Sequence, residues 1–189
     1  METREFSGVE FRVEGDGGKT LVGHAATFDD KYPVWDFDER IDSRAFDEAI
    51  EGDDVRALFN HDPNLVLGRN KAGTLRLSTD SVGLVSEIDL PDTPTGNEVR
   101  TLVDRGDIDQ MSFAFSVIEE EWEHKEDGRD LRTIKKASLH DVSPVTYPAN
   151  PKTDIAVRSH EAWLETQKED LSHIHAMRHR RNAEAVALD

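Results

Sequence analysis

The chain contains no cysteine, which excludes disulfides, thiolate nucleophiles and cysteine-based zinc sites together. A serine, not a thiol, is the nucleophile to look for. Positive charge is also scarce: 23 Lys and Arg stand against 40 Asp and Glu, a formal charge of -17 over 189 residues. Such a surface lacks the basic footprint that phosphate backbones require, so no nucleic-acid partner is expected, and an anionic membrane surface is disfavoured on the same ground. No stretch approaches eighteen consecutive apolar residues, and Met1–Glu5 has no basic segment leading into an apolar one. A soluble protein retained in the cell that makes it is the expectation. Lysine is the rarer of the two cations, 8 against 15 Arg. A lysine-poor acidic skin suits high salt, where self-repulsion is screened, so a halophilic source stands beside an ordinary acidic cytoplasmic one.

What is present begins with Met111-Ser112-Phe113-Ala114-Phe115-Ser116-Val117. Its strict alternation predicts a strand with Met111, Phe113, Phe115 and Val117 in the core and small residues on the other face. A face of Ser112, Ala114 and Ser116 leaves room for another side chain to lie against a hydroxyl. Phe6 to Val13 and Thr20 to Phe28 read as a hairpin around Gly15-Asp16-Gly17-Gly18. Further strands are predicted at 37–41, 55–59, 65–68, 74–77, 83–90, 131–136, 138–142 and 155–157. Helices are predicted after an Asp42 or Ser43 cap to about Ile50, and over 97–104. Glu119 to Glu126 reads as a solvated hairpin extension turning at Asp127-Gly128. Strands in this number with two inserted helices predict an α+β domain over 1–158, a mostly antiparallel sheet closed into a barrel. From His160 the apolar stripe thins, so 159–189 reads as a helical tail, a propeptide or a partner-binding segment.

A serine hydroxyl needs an imidazole to take its proton and usually a third group to orient that imidazole. Of eight histidines, His124 lies in the charged hairpin, His160, His173, His175 and His179 in the tail, and His24 within a strand. His61 and His140 remain. Pro63 forbids continued pairing after Phe59, which puts His61 at a strand exit. For the third member, His140 and Asp141 are adjacent; simple alternation puts them on opposite faces, Asp141 with Leu139, so only one can point at His61. His173, His175 and His179 have spacing compatible with a metal, but beside Arg178, Arg180 and Arg181 they read more simply as a surface that grips an acidic partner.

Four pieces in order, Asn60-His61-Asp62 with Leu67-Gly68-Arg69 and Gly73-Thr74-Leu75, then Met111 to Phe115, then Asp141-Val142-Ser143-Pro144 through Pro151, preceded by Gly23-His24-Ala25-Ala26, resemble the prohead maturation protease family of tailed viruses. The resemblance covers about residues 6 to 158. It implies a serine endopeptidase with a fold similar to herpesvirus assemblin, a barrel surrounded by helices, without cofactor or metal. It implies Ser112 as nucleophile, His61 as base and Asp141 as third member, with His140 as the alternative, since herpesvirus relatives use a second histidine there. An oxyanion stabiliser cannot be derived from spacing; Arg69 in the Gly68-Arg69 pair is a candidate. The implied substrates are the scaffold or an extension of the major capsid protein, and then the enzyme itself, inside an immature prohead in the host cytoplasm. A homodimer is implied only by the herpesvirus likeness. The competing reading is a non-catalytic scaffold or decoration protein with the same fold.

Overall fold

Apolar and polar residues alternate through most of the chain, and the result is a protein of strands. The computed structural model describes residues 1–6, 11–14, 19–34, 36–125, 128–147 and 159–167. In chain order come β1 (Glu2–Phe6), β2 (Phe11–Glu14), β3 (Thr20–Thr27), β4 (Tyr32–Val34), β5 (Phe37–Ile41), α1 (Asp47–Gly52), β6 (Arg56–Phe59) and β7 (Asp62–Arg69). A turn of 3-10 helix at Asn70–Ala72 leads to β8 (Leu75–Thr79), β9 (Gly83–Asp89), α2 (Pro94–Asp104), β10 (Gln110–Glu123) and β11 (Leu131–Val145). These belong to a compact unit spanning Met1–Lys152, and a separate unit spans Thr153–Asp189. In the second unit, residues 159–167 form a helix in which His160 stacks on Trp163, ring centroids 6.0 Å apart.

β10 and β11 are the spine of a seven-stranded sheet ordered β1-β10-β11-β5-β4. They pair antiparallel from Gln110 opposite Val145 to Glu123 opposite Leu131. β11 is long enough to take two parallel neighbours on its far edge. Leu131 to Ile134 pair with β5, and Asp141 and Val142 pair with Arg56 and Ala57 of β6, which in turn pairs with β7. A second sheet runs β2-β3-β9-β8. One core draws on both: Leu21, Ala25, Leu84 and Ile88 from the second sheet meet Phe113, Phe115, Leu139 and Val142 from the first. Phe113 stacks on Phe115 with centroids 4.8 Å apart and takes the edge of Phe46 at 5.6 Å, the arrangement aromatic rings prefer.

The α+β class agrees with the sequence; the closed barrel does not. Among the described residues the strands form two open sheets, the larger ending at β1 and β4. Glu2–Phe6, with no apolar alternation to announce it, is a strand because β10 offers it an edge. The predicted break between 136 and 138 is absent, and β11 runs unbroken to Val145. The charged run Glu119–Glu123 does continue β10 as a hairpin extension, paired to Leu131–Lys136. α2 starts three residues earlier than expected, because Thr93 caps it, its side chain accepting from the Gly96 N–H at 3.2 Å, and Pro94 fits the first turn. The predicted strand at 155–157 lies outside the described residues.

The second sheet depends on one close approach. A Cβ on Gly83, opposite Thr27 in the β3–β9 pair, would stand 1.8 Å from the Ala26 carbonyl oxygen. Backbone cannot yield as a flexible side chain does, so Gly83→Ala is expected to cost about 3 kcal/mol of unfolding free energy in urea denaturation, at the upper end for overpacking.

Candidate active site

His61 is delivered by a two-residue connection. β6 ends at Phe59, β7 starts at Asp62, and Asn60 and His61 between them have φ of 55° and 57°. Two successive residues at positive φ joining paired strands make a type I′ turn, whose twist matches the strands it links. Asparagine tolerates this conformation; a histidine there stores about 1 kcal/mol or more of backbone strain. The surroundings hold the strain in place. Asn60 donates its N–H to the Pro144 carbonyl at 3.0 Å, its Oδ1 accepts the Thr146 N–H at 2.8 Å, and its Nδ2 donates to Thr146 Oγ1 at 3.1 Å. The turn is thereby clamped to the end of β11. Pro63 does not end the pairing as the sequence suggested: it is the second residue of β7, exposed on a strand at the sheet's edge, where a missing N–H costs little.

The clamp sets the imidazole between a hydroxyl and a carboxylate. His61 Nε2 lies 2.7 Å from Ser112 Oγ, and Nδ1 lies 2.6 Å from Asp141 Oδ1. With Asp141 accepting the proton on Nδ1, Nε2 presents a lone pair to the Ser112 hydroxyl. Ser112 has no exposed surface, whereas the His61 side chain keeps 21% of its own, so the pair is approached from the imidazole side.

A β-bulge decides which third residue reaches His61. Along β10 and β11, Ala114 is opposite Asp141 but Phe115 is opposite Leu139, so His140 has no partner across the strands. The extra residue breaks the two-residue alternation. Ser138 and His140 on one side of the bulge, and Asp141 and Ser143 on the other, all turn to the face of Ser112 and Ser116, while Leu139 and Val142 turn to the core. The expectation that His140 and Asp141 point to opposite faces, with Asp141 beside Leu139, is corrected accordingly. Both face the serines, and reach separates them: Asp141 meets His61, and His140 Nε2 lies 2.8 Å from Ser116 Oγ.

The same bulge brings in Ser143, which the sequence reading quoted but gave no role. Fully buried and opposite Ser112, it donates its hydroxyl to Asp141 Oδ1 at 2.7 Å, the oxygen that also takes His61 Nδ1. Its position two residues beyond Asp141 on a strand was the available signal. Hydrogen bonds to a charged acceptor contribute about 1.5–3 kcal/mol. Ser143→Ala is therefore expected to lower the unfolding free energy by about 2 kcal/mol and turnover about tenfold, read by denaturation and steady-state kinetics.

Arg69 is elsewhere. Arg69, Arg56, Asp141 and Ala114 form one row across β7, β6, β11 and β10, which puts Arg69 three strand spacings, roughly 14 Å, from the Ser112 strand. Its guanidinium forks onto Asp54 at 2.7 and 2.6 Å, and that bond holds the exposed Asp54 carboxyl down at about 2. Of the other described histidines, His24 is engaged with Asp80 at 2.9 Å, His124 with Asp130 at 2.7 Å, and His160 stacks on Trp163. His173, His175 and His179 lie outside the described residues. Among the described residues no group of three or more His, Asp or Glu is placed to hold a metal, and no helix is long and apolar enough to cross a membrane.

A hydroxyl, an imidazole and a buried carboxylate in one hydrogen-bonded line is the arrangement by which serine hydrolases transfer acyl groups. The chain belongs to the caudovirus prohead serine protease family, whose model matches residues 7–168. Among solved structures it is similar to the capsid assembly protease gp21 of bacteriophage T4, at 10% identity and a TM-score of 0.48, over 77% of this chain and 99% of that one. No curated protein matches it.

Proposed function

We propose that this prohead protease uses Ser112 as nucleophile, His61 as general base and Asp141 as the group that orients and charge-stabilises the base. The single observation that supports the reading most is His61 spanning 2.7 Å to Ser112 and 2.6 Å to Asp141 at once. The Ser112 proton passes to Nε2 as Oγ forms its bond to a peptide carbonyl carbon. The imidazolium, its Nδ1–H on Asp141, then gives that proton to the departing amine nitrogen as the C–N bond breaks. Water, deprotonated by His61 Nε2, attacks the acyl carbon, and Nε2 returns the proton to Oγ as the ester C–O bond breaks. The substrates in this reading are the scaffold or an extension of the major capsid protein, then the enzyme's own tail at 159–189, within an immature prohead. The separation of a protease domain, 1–158, from that tail belongs to the same proposal.

Labelling tests it directly. Incubated with a fluorophosphonate, which esterifies activated serines, the protein is expected to take one adduct, mapped to Ser112 by mass spectrometry and absent from His61→Ala. Run at low and at molar salt, the experiment also tests the halophilic reading. An unlabelled Ser112 at both salts, in a protein that does not shorten itself, would leave a non-catalytic assembly role in its place.

A further inference from the structure

Behind Ser112 lies a cluster of charges with no part in the proton transfers. Glu2, Arg4, Glu39 and Arg132 are each no more than 2% exposed. Arg4 grips Glu39 with Nε at 2.6 Å and Nη2 at 3.1 Å, and the same Nη2 donates to Glu2 at 2.6 Å. Arg132 closes the far side, Nη1 donating to Glu2 at 3.0 Å and Glu39 at 2.8 Å, and Nε to Glu120 at 2.7 Å. Tyr32 donates its hydroxyl to Glu39 at 2.6 Å. Burial opposes every one of these charges, yet Arg4 and Arg132 together hold the Glu39 carboxyl below its ordinary range.

Stability does not account for the cluster. Bringing such ions out of water costs several kcal/mol each, and apolar side chains of the same volume commonly do as well or better. What the cluster fixes is the place of one strand. β1 is an edge strand, paired on one side to β10 with Glu5 opposite Ser112, and Arg4 is its middle residue. With the guanidinium held, the Arg4 main-chain carbonyl stands 2.9 Å from Ser112 Oγ, which donates to it. The hydroxyl has one proton and two acceptors, that carbonyl and His61 Nε2. A serine side chain has three staggered wells, and this pair of acceptors brackets Oγ in one of them. Turning the proton from carbonyl to imidazole then needs only rotation about the Cβ–Oγ bond, while the oxygen stays in line with the base.

We propose that Arg4 is a positioning residue for the nucleophile: its side chain anchors β1 in the buried ion cluster so that its carbonyl holds Ser112 Oγ in the rotamer that faces His61. The proposal rests on Ser112 being the nucleophile. Its test compares Arg4→Met with Arg132→Met, which breaks the same cluster without loosening Arg4 from Glu39. Both variants are expected to be destabilised. With active sites counted by fluorophosphonate titration, Arg4→Met is expected to lose on the order of tenfold to a hundredfold in kcat and in labelling rate at unchanged KM, and Arg132→Met to stay within about twofold. Arg4→Lys, which keeps the charge but not the fork, is expected to recover part of the loss. Should Arg4→Met fail to fold, Arg4→Lys against Arg132→Lys carries the comparison, with about tenfold expected for the first and no more than twofold for the second. Equal kcat in the two arms overturns the positioning role. A Ser112→Ala variant that still hydrolyses peptides overturns the nucleophile assignment instead, so the two failures are told apart.

Discussion

Ser112→Ala is expected to remove peptide hydrolysis by a factor on the order of 10⁴ or more while leaving the protein folded. The loss is large because, in the proposed reaction, every covalent step runs through that one oxygen. The fold tolerates it because Ser112 sits between Met111 and Phe113, which carry the core side of the strand and are unchanged, and because alanine is already the residue at the next position on the same face. Oγ loses its contacts with the Arg4 carbonyl and His61 Nε2, which share its single proton, and His61 keeps Asp141 and partial exposure to water. The expected stability change is about 1 kcal/mol. Assay of an internally quenched peptide, with unfolding followed in parallel, reads both quantities. Ser116→Ala supplies the control: it lies on the same face, its partner is His140, and its removal is expected to change turnover by no more than about twofold. If Ser116→Ala proves the dead variant and Ser112→Ala the live one, the nucleophile has been misassigned by four residues.

How far the site could be read beforehand follows from where local rules hold. The alternation of Met111 to Val117 was legible because one face of β10 is core and the other bears small groups, and the structure keeps both. His61 was legible as a residue at the end of a strand. That it sits at positive φ in a type I′ turn was not, since the turn has histidine where glycine is usual, and the clamp that holds it comes from Pro144 and Thr146, more than eighty residues away. The placing of His140 and Asp141 on opposite faces failed at the bulge, because a period of two cannot foresee one inserted residue. The barrel failed for a similar reason. Most of the described strands were read in outline, Tyr32–Val34 not among them, but closure depends on which edges pair, and the edges of β1 and β4 remain separate. β1 itself was invisible: Glu2, Thr3, Arg4 and Glu5 look like a solvated end, and only distant Glu39 and Arg132 make the burial of Glu2 and Arg4 tolerable.

Asp141→Asn is expected to cost about 10⁴-fold in kcat, nearly as much as losing the nucleophile, in a protein whose structure hardly changes. The substitution keeps shape and volume and removes one thing, the carboxylate charge. Asp141 Oδ1 accepts from two groups, His61 at 2.6 Å and Ser143 at 2.7 Å, and an asparagine with its oxygen in that place still accepts from both. The ring keeps its proton on Nδ1, but in the proposed reaction the imidazolium that forms as Nε2 takes the Ser112 proton then faces a neutral amide instead of a buried carboxylate. Ser143→Ala removes one donor to the same oxygen and leaves the charge in place, so it is expected to cost far less, and the double variant is expected to be no more active than Asp141→Asn alone. A double variant clearly more active than Asp141→Asn would show instead that the amide nitrogen had turned to Nδ1 and fixed the ring in the wrong tautomer. His140→Ala, measured alongside, is expected to stay within about twofold, because its imidazole lies on Ser116 and not on His61. A collapse of activity in that variant, with Asp141→Asn left active, would transfer the third role to the histidine.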